Sequence, residues 1–319
     1  MLKNNDIKPQ KISSVSEIVD VDTYFLDMFG LLWDGGAFYD GTLDFLKSLK
    51  ESGKQIVLLS NATVLREPFI ASQAKKGLIA GCHYDDVITS GEAFCHVLNQ
   101  GFLEEITGKK DYKYFVLGTE NKLMFEKVVS HQTDRLEEAD CVYLSGFGAV
   151  VPEEGERIFK EYAGLLNPVI KRGIPIVCAN PDLTFMSKGK QVLVQGSLGR
   201  YAEEMGGKVC WFGKPYGYIF DYAVEKTGAQ KDKTIMVGDT VETDVLGGHR
   251  AGLKTLLVTK TGITGDILSQ GGKLDALYEK NNVQPTYITE QFSHLSFNLK
   301  IRSNHVRASS LASKKILCL

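Results

Sequence analysis

In the stretch TIMVGDTVETDVLGGHRAGLKTLLV, Asp239 and Asp244 flank a loop that leaves an apolar, strand-like run. Two carboxylates held close together repel unless a cation lies between them, and oxygen donors without cysteine or histidine favour a hard ion such as magnesium. Glu242 adds another acid to the same loop. Asp27, in YFLDMFGLLWDGG, directly follows a second apolar run. An ionised group beside a core is costly unless it is paired or bound to a metal, so Asp27 is a candidate for facing a crevice, although a strand-ending Asp that caps a turn fits the pattern equally. Ser60–Asn61–Ala62–Thr63 again lies just past an apolar run. Its hydroxyl and amide groups, with the free N–H groups of a helix start, suit an oxyanion or phosphate, and the same residue types also serve as ordinary helix caps. Lys214, between Gly213 and Pro215 in WFGKPYGYIF, sits on a stiff turn where it could offer a fixed positive charge to a dianion. Taken alone, a single lysine is solvated surface.

Each of these groups falls where a short β-branched run ends, and the elements that must carry them have a clear rhythm. Strand-like runs at 23–27, 55–60 and 86–90 alternate with helical stretches, one of them TLDFLKSLKESG, in which Leu43, Leu46 and Leu49 share a face before Gly53. A middle block brings runs at 112–118, 141–146 and 174–180, and the original rhythm resumes at 233–239, 253–262 and 285–289. A helix is expected through 242–251. Alternation of this kind predicts a mainly parallel sheet between helices, and in such sheets ligands gather beyond the carboxyl ends of the strands. The fold class expected is α/β: a Rossmann-like three-layer parallel-sheet core with a smaller inserted α/β domain. The core is assigned to 21–90 and 213–291, the insert to 91–212, and the flanks to an N-terminal extension (1–20) and a loose basic tail (292–319).

A chain of 319 residues exceeds what one small core needs. The net charge of −2 argues against a nucleic-acid binder, which demands a basic face, and no apolar run approaches the ~20 residues that span a bilayer. The N-terminus carries Asp6, Glu17, Asp20 and Asp22 without an apolar stretch and is not read as a targeting peptide. The six cysteines (82, 95, 141, 178, 210 and 318) form no close pair and no metal-ligand spacing, which fits small buried hydrophobes in a reducing, cytoplasmic setting. The tail carries Lys300, Arg302, Arg307, Lys314 and Lys315 with no acid, and Cys318 is penultimate, so it is not a prenylation signal.

The order of the clusters resembles the four motifs of the haloacid dehalogenase-like hydrolase superfamily: a strand ending in Asp, one ending in Ser/Thr, a lysine, then G-D-x-x-x-T-D. The large insert between the second motif and the lysine resembles the class IIA branch with its type 2 cap, which includes 4-nitrophenylphosphatase-like and sugar-phosphatase-like enzymes. The strings GLLWDGG, LLSNAT, ANPD, FGKPYGYIF and VGDTVETDVLGGHRAGLKTLLV carry the likeness over roughly residues 22–290. The resemblance implies a Mg²⁺-dependent phosphohydrolase acting on a small phosphorylated substrate. Asp27 would be the nucleophile and a metal ligand, with the Phe29 carbonyl beside it and Asp239 a direct ligand; Asp244 would join the metal site through water or hold Lys214. Ser60 and Asn61 would hold phosphoryl oxygens, and Lys214 would neutralise nucleophile and phosphate together. Asn180 and Asp182, on the cap's return path, would approach the substrate or, equally, form a turn at a strand end, and related capped enzymes often pair through the cap, so a homodimer is an expectation.

One position departs from the pattern. Two residues after the nucleophile the phosphatases carry a second Asp, the general acid; here the residue is Phe29. General acid–base help is typically worth ~10²–10⁴-fold. A good leaving group such as a phosphoanhydride, acyl phosphate or acidic phenol would need no proton, or Asp34 could substitute as the acid. Carbon–halogen hydrolysis, where an aromatic also stands at this position, needs no metal and so does not explain Asp239 and Asp244. A binding or regulatory module that holds phosphate without turnover is the non-enzymatic alternative. A subset of class IIA resembles this chain in carrying an aromatic there.

Overall fold

The computed structural model describes residues 8–119, 124–149, 151–187 and 190–297. In chain order its strands are β1 (Gln10–Lys11), β2 (Thr23–Leu26), β3 (Gln55–Ser60), β4 (Asp86–Thr89), β5 (Tyr114–Leu117), β6 (Cys141–Leu144) and β7 (Ile176–Cys178). They continue as β8 (Thr184–Ser187), β9 (Lys190–Leu193), β10 (Val209–Trp211), β11 (Thr234–Gly238), β12 (Lys254–Val258) and β13 (Tyr287–Thr289). Seven strands form one sheet in the order β1-β13-β12-β11-β2-β3-β4, with every pair parallel. A second, four-stranded parallel sheet runs β10-β7-β6-β5, and β8 and β9 form an antiparallel hairpin. The α/β class with a helix-flanked parallel core follows directly.

The strands of the larger sheet read as continuous apolar runs because both faces are covered. Tyr24 and Leu26 of β2, Ile56 and Leu58 of β3 and Val237 of β11 enter one layer, with Phe45, Leu46 and Leu49 of the helix Thr42–Glu51. Phe25, Val57, Leu59 and Met236 enter the opposite layer, with Ile219, Phe220 and Ala223 of the helix Gly217–Thr227. The smaller sheet has its own core, where Val142, Leu144, Ile176 and Cys178 pack on Ile158, Leu166 and Val169 of the helix Pro152–Lys171.

Strand order reverses at β2: the chain moves first to β3 on one side and later to β11 on the other. That reversal opens a crevice at the carboxyl ends of β2, β3 and β11, which are followed or closed by Asp27, Ser60 and Asp239.

Three segments differ from expectation. Gln10–Lys11, expected in an N-terminal extension, pairs with β13 as an edge strand, and Ser14 caps the turn Val15–Glu17 through a capping box. The tail expected to be loose from 292 is packed as far as 297. Phe292 is buried, with its ring 4.8 Å from that of Phe45, and Phe297 lies 5.1 Å from the same ring. These aromatics cover apolar surface on the helix Thr42–Glu51. The basic residues Lys300, Arg302, Arg307, Lys314 and Lys315, and Cys318, lie outside the described residues. The helix expected through 242–251 begins as a π-helical turn, Val241–Val245, before the α-helix Leu246–Arg250. Widened turns of this kind recur at functional sites. No helix among the described residues is long and apolar enough to cross a membrane.

Candidate active site

The side chains of Asp27, Asp239 and Asp244 meet in one cluster, with a carboxylate oxygen from each lying within 4.8 Å of the others. Asp27 is placed by the sheet itself, since its N–H donates to the Val237 carbonyl at 2.9 Å, extending the β2–β11 pairing one residue past the strand. Asp239 follows β11, and its Oδ2 accepts the Ile263 N–H at 2.6 Å and the Thr240 hydroxyl at 3.3 Å. Asp244 projects from the π-turn, and its Oδ2 accepts the Thr240 N–H at 3.1 Å. The backbone approaches these acids so closely that side chains are excluded. A Cβ on Gly30 (φ +82°) would stand 2.4 Å from the Asp239 carboxyl carbon, and one on Gly262 (φ +62°) 2.0 Å from its Oδ2.

Lys214 reaches into this cluster from the turn ahead of the helix Gly217–Thr227 and is 2 % exposed. Its Nζ donates to Asp27 Oδ1 at 2.6 Å and to Asp244 Oδ1 at 2.7 Å. Burial alone would lower the lysine's pKa, but the Asp244 and Asp27 carboxylates outweigh it and hold the ammonium charged. Burial, reinforced by the charges of Asp27 and Asp244, pushes Asp239 well above the ordinary carboxylate range. Asp244 is raised by burial too, against the pull of Lys214. Three buried or half-buried acids face one ammonium, and the surplus negative charge, all on oxygen donors, is the composition that a hard divalent cation fits.

Ser60, buried at the end of β3, accepts the Ala62 N–H on its Oγ at 3.2 Å. Asn61 is equally buried, and its side chain is fully committed. Oδ1 accepts the Lys214 N–H at 2.6 Å, while Nδ2 donates to the Lys214 carbonyl at 3.0 Å and to Asp182 Oδ1 at 2.8 Å. The Asn61 side chain therefore has no donor left over for a phosphoryl oxygen. Asn180 shapes the preceding turn, accepting the Asp182 N–H on Oδ1 at 2.9 Å. Half-buried Asp182 is pushed up to about 6 by lost hydration, opposed by the Asn61 hydrogen bond and the Lys214 charge.

The side chains of Phe29, Asp34 and Glu242 make no hydrogen bond or ion pair with this cluster. Phe29 is 48 % exposed, an aromatic ring open to solvent two residues after Asp27. Asp34 is also exposed, and its Oδ1 accepts the Gly36 and Ala37 N–H groups, both at 2.7 Å. These bonds, Ala37 foremost, hold its carboxyl below the usual range, which suits a turn cap and not a proton donor near neutral pH. Glu242 faces neither acid. It lies 3.9 Å from Arg200 of the helix Gln195–Glu204 and 3.5 Å from Lys280, bridging the two sheets' helices at the surface. Nothing in the sequence points to the Thr240 and Ile263 N–H groups, which orient Asp244 and Asp239.

Family models described as haloacid dehalogenase-like hydrolase match residues 84–252 and 24–130, and a related HAD-hydrolase-like model matches 211–295. The chain belongs to the haloacid dehalogenase-like hydrolases, and it is a hydrolase whose inserted second sheet has the class IIA arrangement. Among its relatives is phosphoglycolate phosphatase 1A, chloroplastic, of Arabidopsis thaliana, 25 % identical over 316 residues, covering 89 % of this chain and 79 % of that protein. The solved 4-nitrophenylphosphatase from Thermotoga maritima aligns with a TM-score of 0.61 at 25 % identity, over 85 % of this chain and 95 % of that one. A haloacid dehalogenase-like hydrolase from Brucella suis 1330 shares the fold with a TM-score of 0.71 at 22 % identity, over 89 % of this chain and 99 % of that one.

Proposed function

We propose that this hydrolase is a magnesium-dependent phosphatase of small phosphorylated metabolites that works through an aspartyl-phosphate on Asp27 and favours good leaving groups. The observation that carries this reading is the single ammonium of Lys214 bonded to both Asp27 and Asp244 within a cluster of three acids. A dianionic ester repels a carboxylate nucleophile, and this arrangement, loaded with a cation, removes the repulsion. Asp27, Asp239, Asp244 and the Phe29 carbonyl would hold Mg²⁺, which would supply Lewis-acid charge neutralisation at the phosphoryl group.

The remaining steps belong to the chain. Asp27 attacks phosphorus in line as the ester oxygen departs, and water then cleaves the acyl phosphate and regenerates the carboxylate. Ser60 Oγ and the backbone beside Asn61 receive the phosphoryl oxygens. With Phe29 at the position of the usual acid and Asp34 held ionised, the departing oxygen leaves as an anion, so acyl phosphates, phosphoanhydrides and acidic phenyl esters suit the site. The domain carrying the second sheet (91–212) serves as a cap that excludes water and contributes specificity, with Asn180 and Asp182 on the segment by which it approaches the site. Work in the cytoplasm as a homodimer paired through the cap completes the reading.

The test is hydrolysis of acetyl phosphate and 4-nitrophenyl phosphate, with and without Mg²⁺. Turnover with the ion, lost on chelation, is expected. Turnover indifferent to a chelator overturns the metal assignment, and phosphate binding without turnover on any donor favours a binding module instead.

The raised acids also give the metal-free protein a pH signature. Asp239 and Asp244 keep protons in the folded state that the unfolded chain releases near pH 4. The folded state therefore binds more protons above that pH, and stability falls as pH rises toward neutrality. Chelated protein is expected to melt lower at pH 8 than at pH 5.5, and Mg²⁺ to raise the melting temperature more at pH 8. A Mg²⁺ shift that is equal at both values would remove the two acids from the ion's site.

A further inference from the structure

The backbone of Lys214 is gripped at both its N–H and its carbonyl by one amide. Asn61 Oδ1 takes its N–H at 2.6 Å and Nδ2 gives to its carbonyl at 3.0 Å. The second Nδ2 proton goes to Asp182 Oδ1 at 2.8 Å. Asp182 belongs to the segment between β7 and β8, which turns back toward the lysine turn before the chain rejoins the second sheet at β10, and that segment fixes it. Its N–H is held by Asn180 at 2.9 Å, and its carbonyl lies where a Cβ on Gly196 would come within 2.2 Å. The return path also presses on the lysine turn: a Cβ on Gly213 (φ +91°) would stand 2.7 Å from both Pro181 Cδ and Asn61 Oδ1.

An ionised carboxylate only accepts, so Asp182 tolerates one of the two orientations of the Asn61 amide. Turned over, the amide would set Oδ1 against Asp182 and the Lys214 carbonyl, and Nδ2 against the Lys214 N–H. We infer that Asp182 is a positioning residue through which the cap's return segment sets the Lys214 backbone, by way of Asn61, and so places the ammonium between Asp27 and Asp244. This rests on the phosphatase reading above. When the cap segment is seated, Asn61 is locked and the lysine is held at the reacting centre; when it shifts, the lock opens and the charge is no longer fixed where the phosphoryl group must sit. The effect falls on the chemical step, because a catalytic charge displaced by about 1 Å can cost roughly 10²-fold in rate.

Steady-state kinetics with 4-nitrophenyl phosphate and Mg²⁺ tests the inference. Asp182→Ala is expected to lower kcat about 10–100-fold with KM changed less than about threefold. Asp182→Asn keeps an acceptor oxygen for Asn61 and is expected to recover most of the rate. In the double variant Asn61→Ala/Asp182→Ala the loss should equal that of Asn61→Ala alone, since both act through one contact. If Asp182→Ala does not fold, Asp182→Glu, which displaces the carboxylate, should show the same split in milder form. Full kcat in Asp182→Ala overturns the inference, as do additive losses in the double variant. So does an Asp182→Asn defect as deep as that of Ala with a steepened dependence on leaving-group pKa, which would make Asp182 a proton donor. Failure of the phosphatase reading looks different: the unmutated chain would show no Asp27-dependent turnover on phosphoryl donors, whereas failure of this inference leaves that turnover intact.

Discussion

Asp27→Asn is expected to lower kcat by about 10⁴-fold or more, the scale seen when a covalent nucleophile is removed. The carboxylate is half-buried and its backbone N–H is anchored on Val237, so an isosteric amide changes the chemistry and not the fold. Lys214 keeps Asp244 as a partner at 2.7 Å, which spares the variant a buried unpaired ammonium. Rapid acid quenching after mixing with a labelled acyl phosphate should trap label on Asp27 in the unmutated chain and none in the variant. A variant that retains turnover, or a quench that finds label on another residue, ends the assignment of Asp27 as nucleophile. A tenfold loss is too small for a missing nucleophile and would point to a role in orienting the metal.

Much of this site can be read from the chain because buried parallel strands have a signature. Runs such as VLLS and IMVGD are apolar on both faces, so the first polar residue after each run marks a carboxyl end of the sheet. Asp27, Ser60 and Asp239 are found that way. Lys214 lies in a turn and Asp244 on the π-helical turn Val241–Val245, and their meeting is a property of the topology: nothing local brings residue 214 to residue 27. The backbone donors are harder still, because an N–H group has no residue type. Ile263 donates to Asp239 from the first turn of the helix Gly262–Ser269, where Gly262 is the residue that lets the chain come near. Asn61 shows the converse error. Its amide looks made for a phosphoryl oxygen, yet all its hydrogens go to Lys214 and Asp182, partners 153 and 121 positions away. Edge strand β1 has only two residues, both exposed, so no alternation exists to reveal it; its pairing with β13 is set by the neighbouring chain.

The most informative change is at Phe29, two residues after Asp27. Phe29→Asp is expected to raise kcat/KM for an alkyl phosphate such as glycerol phosphate by roughly 10²-fold or more, with little effect on acetyl phosphate. The substitution is tolerable because Phe29 is 48 % exposed and leaves no cavity in the core. The backbone of residue 29 is held on both sides, by the Asp27 N–H on Val237 and by the Gly30 N–H on Trp33 at 2.8 Å, so its carbonyl stays where it is. What changes is the fate of the departing oxygen. In the unmutated chain it must leave as an anion, and the rate should fall steeply as the leaving group's pKa rises. A carboxylic acid at position 29 could protonate it and flatten that dependence. A flat dependence already present in the unmutated chain would mean that another group donates. Asp34→Asn is then the control, and no change is expected, because its carboxylate is tied to Gly36 and Ala37 and held ionised. If Phe29→Asp leaves the slope steep, position 29 does not face the leaving group, and the preference for good leaving groups loses its physical basis.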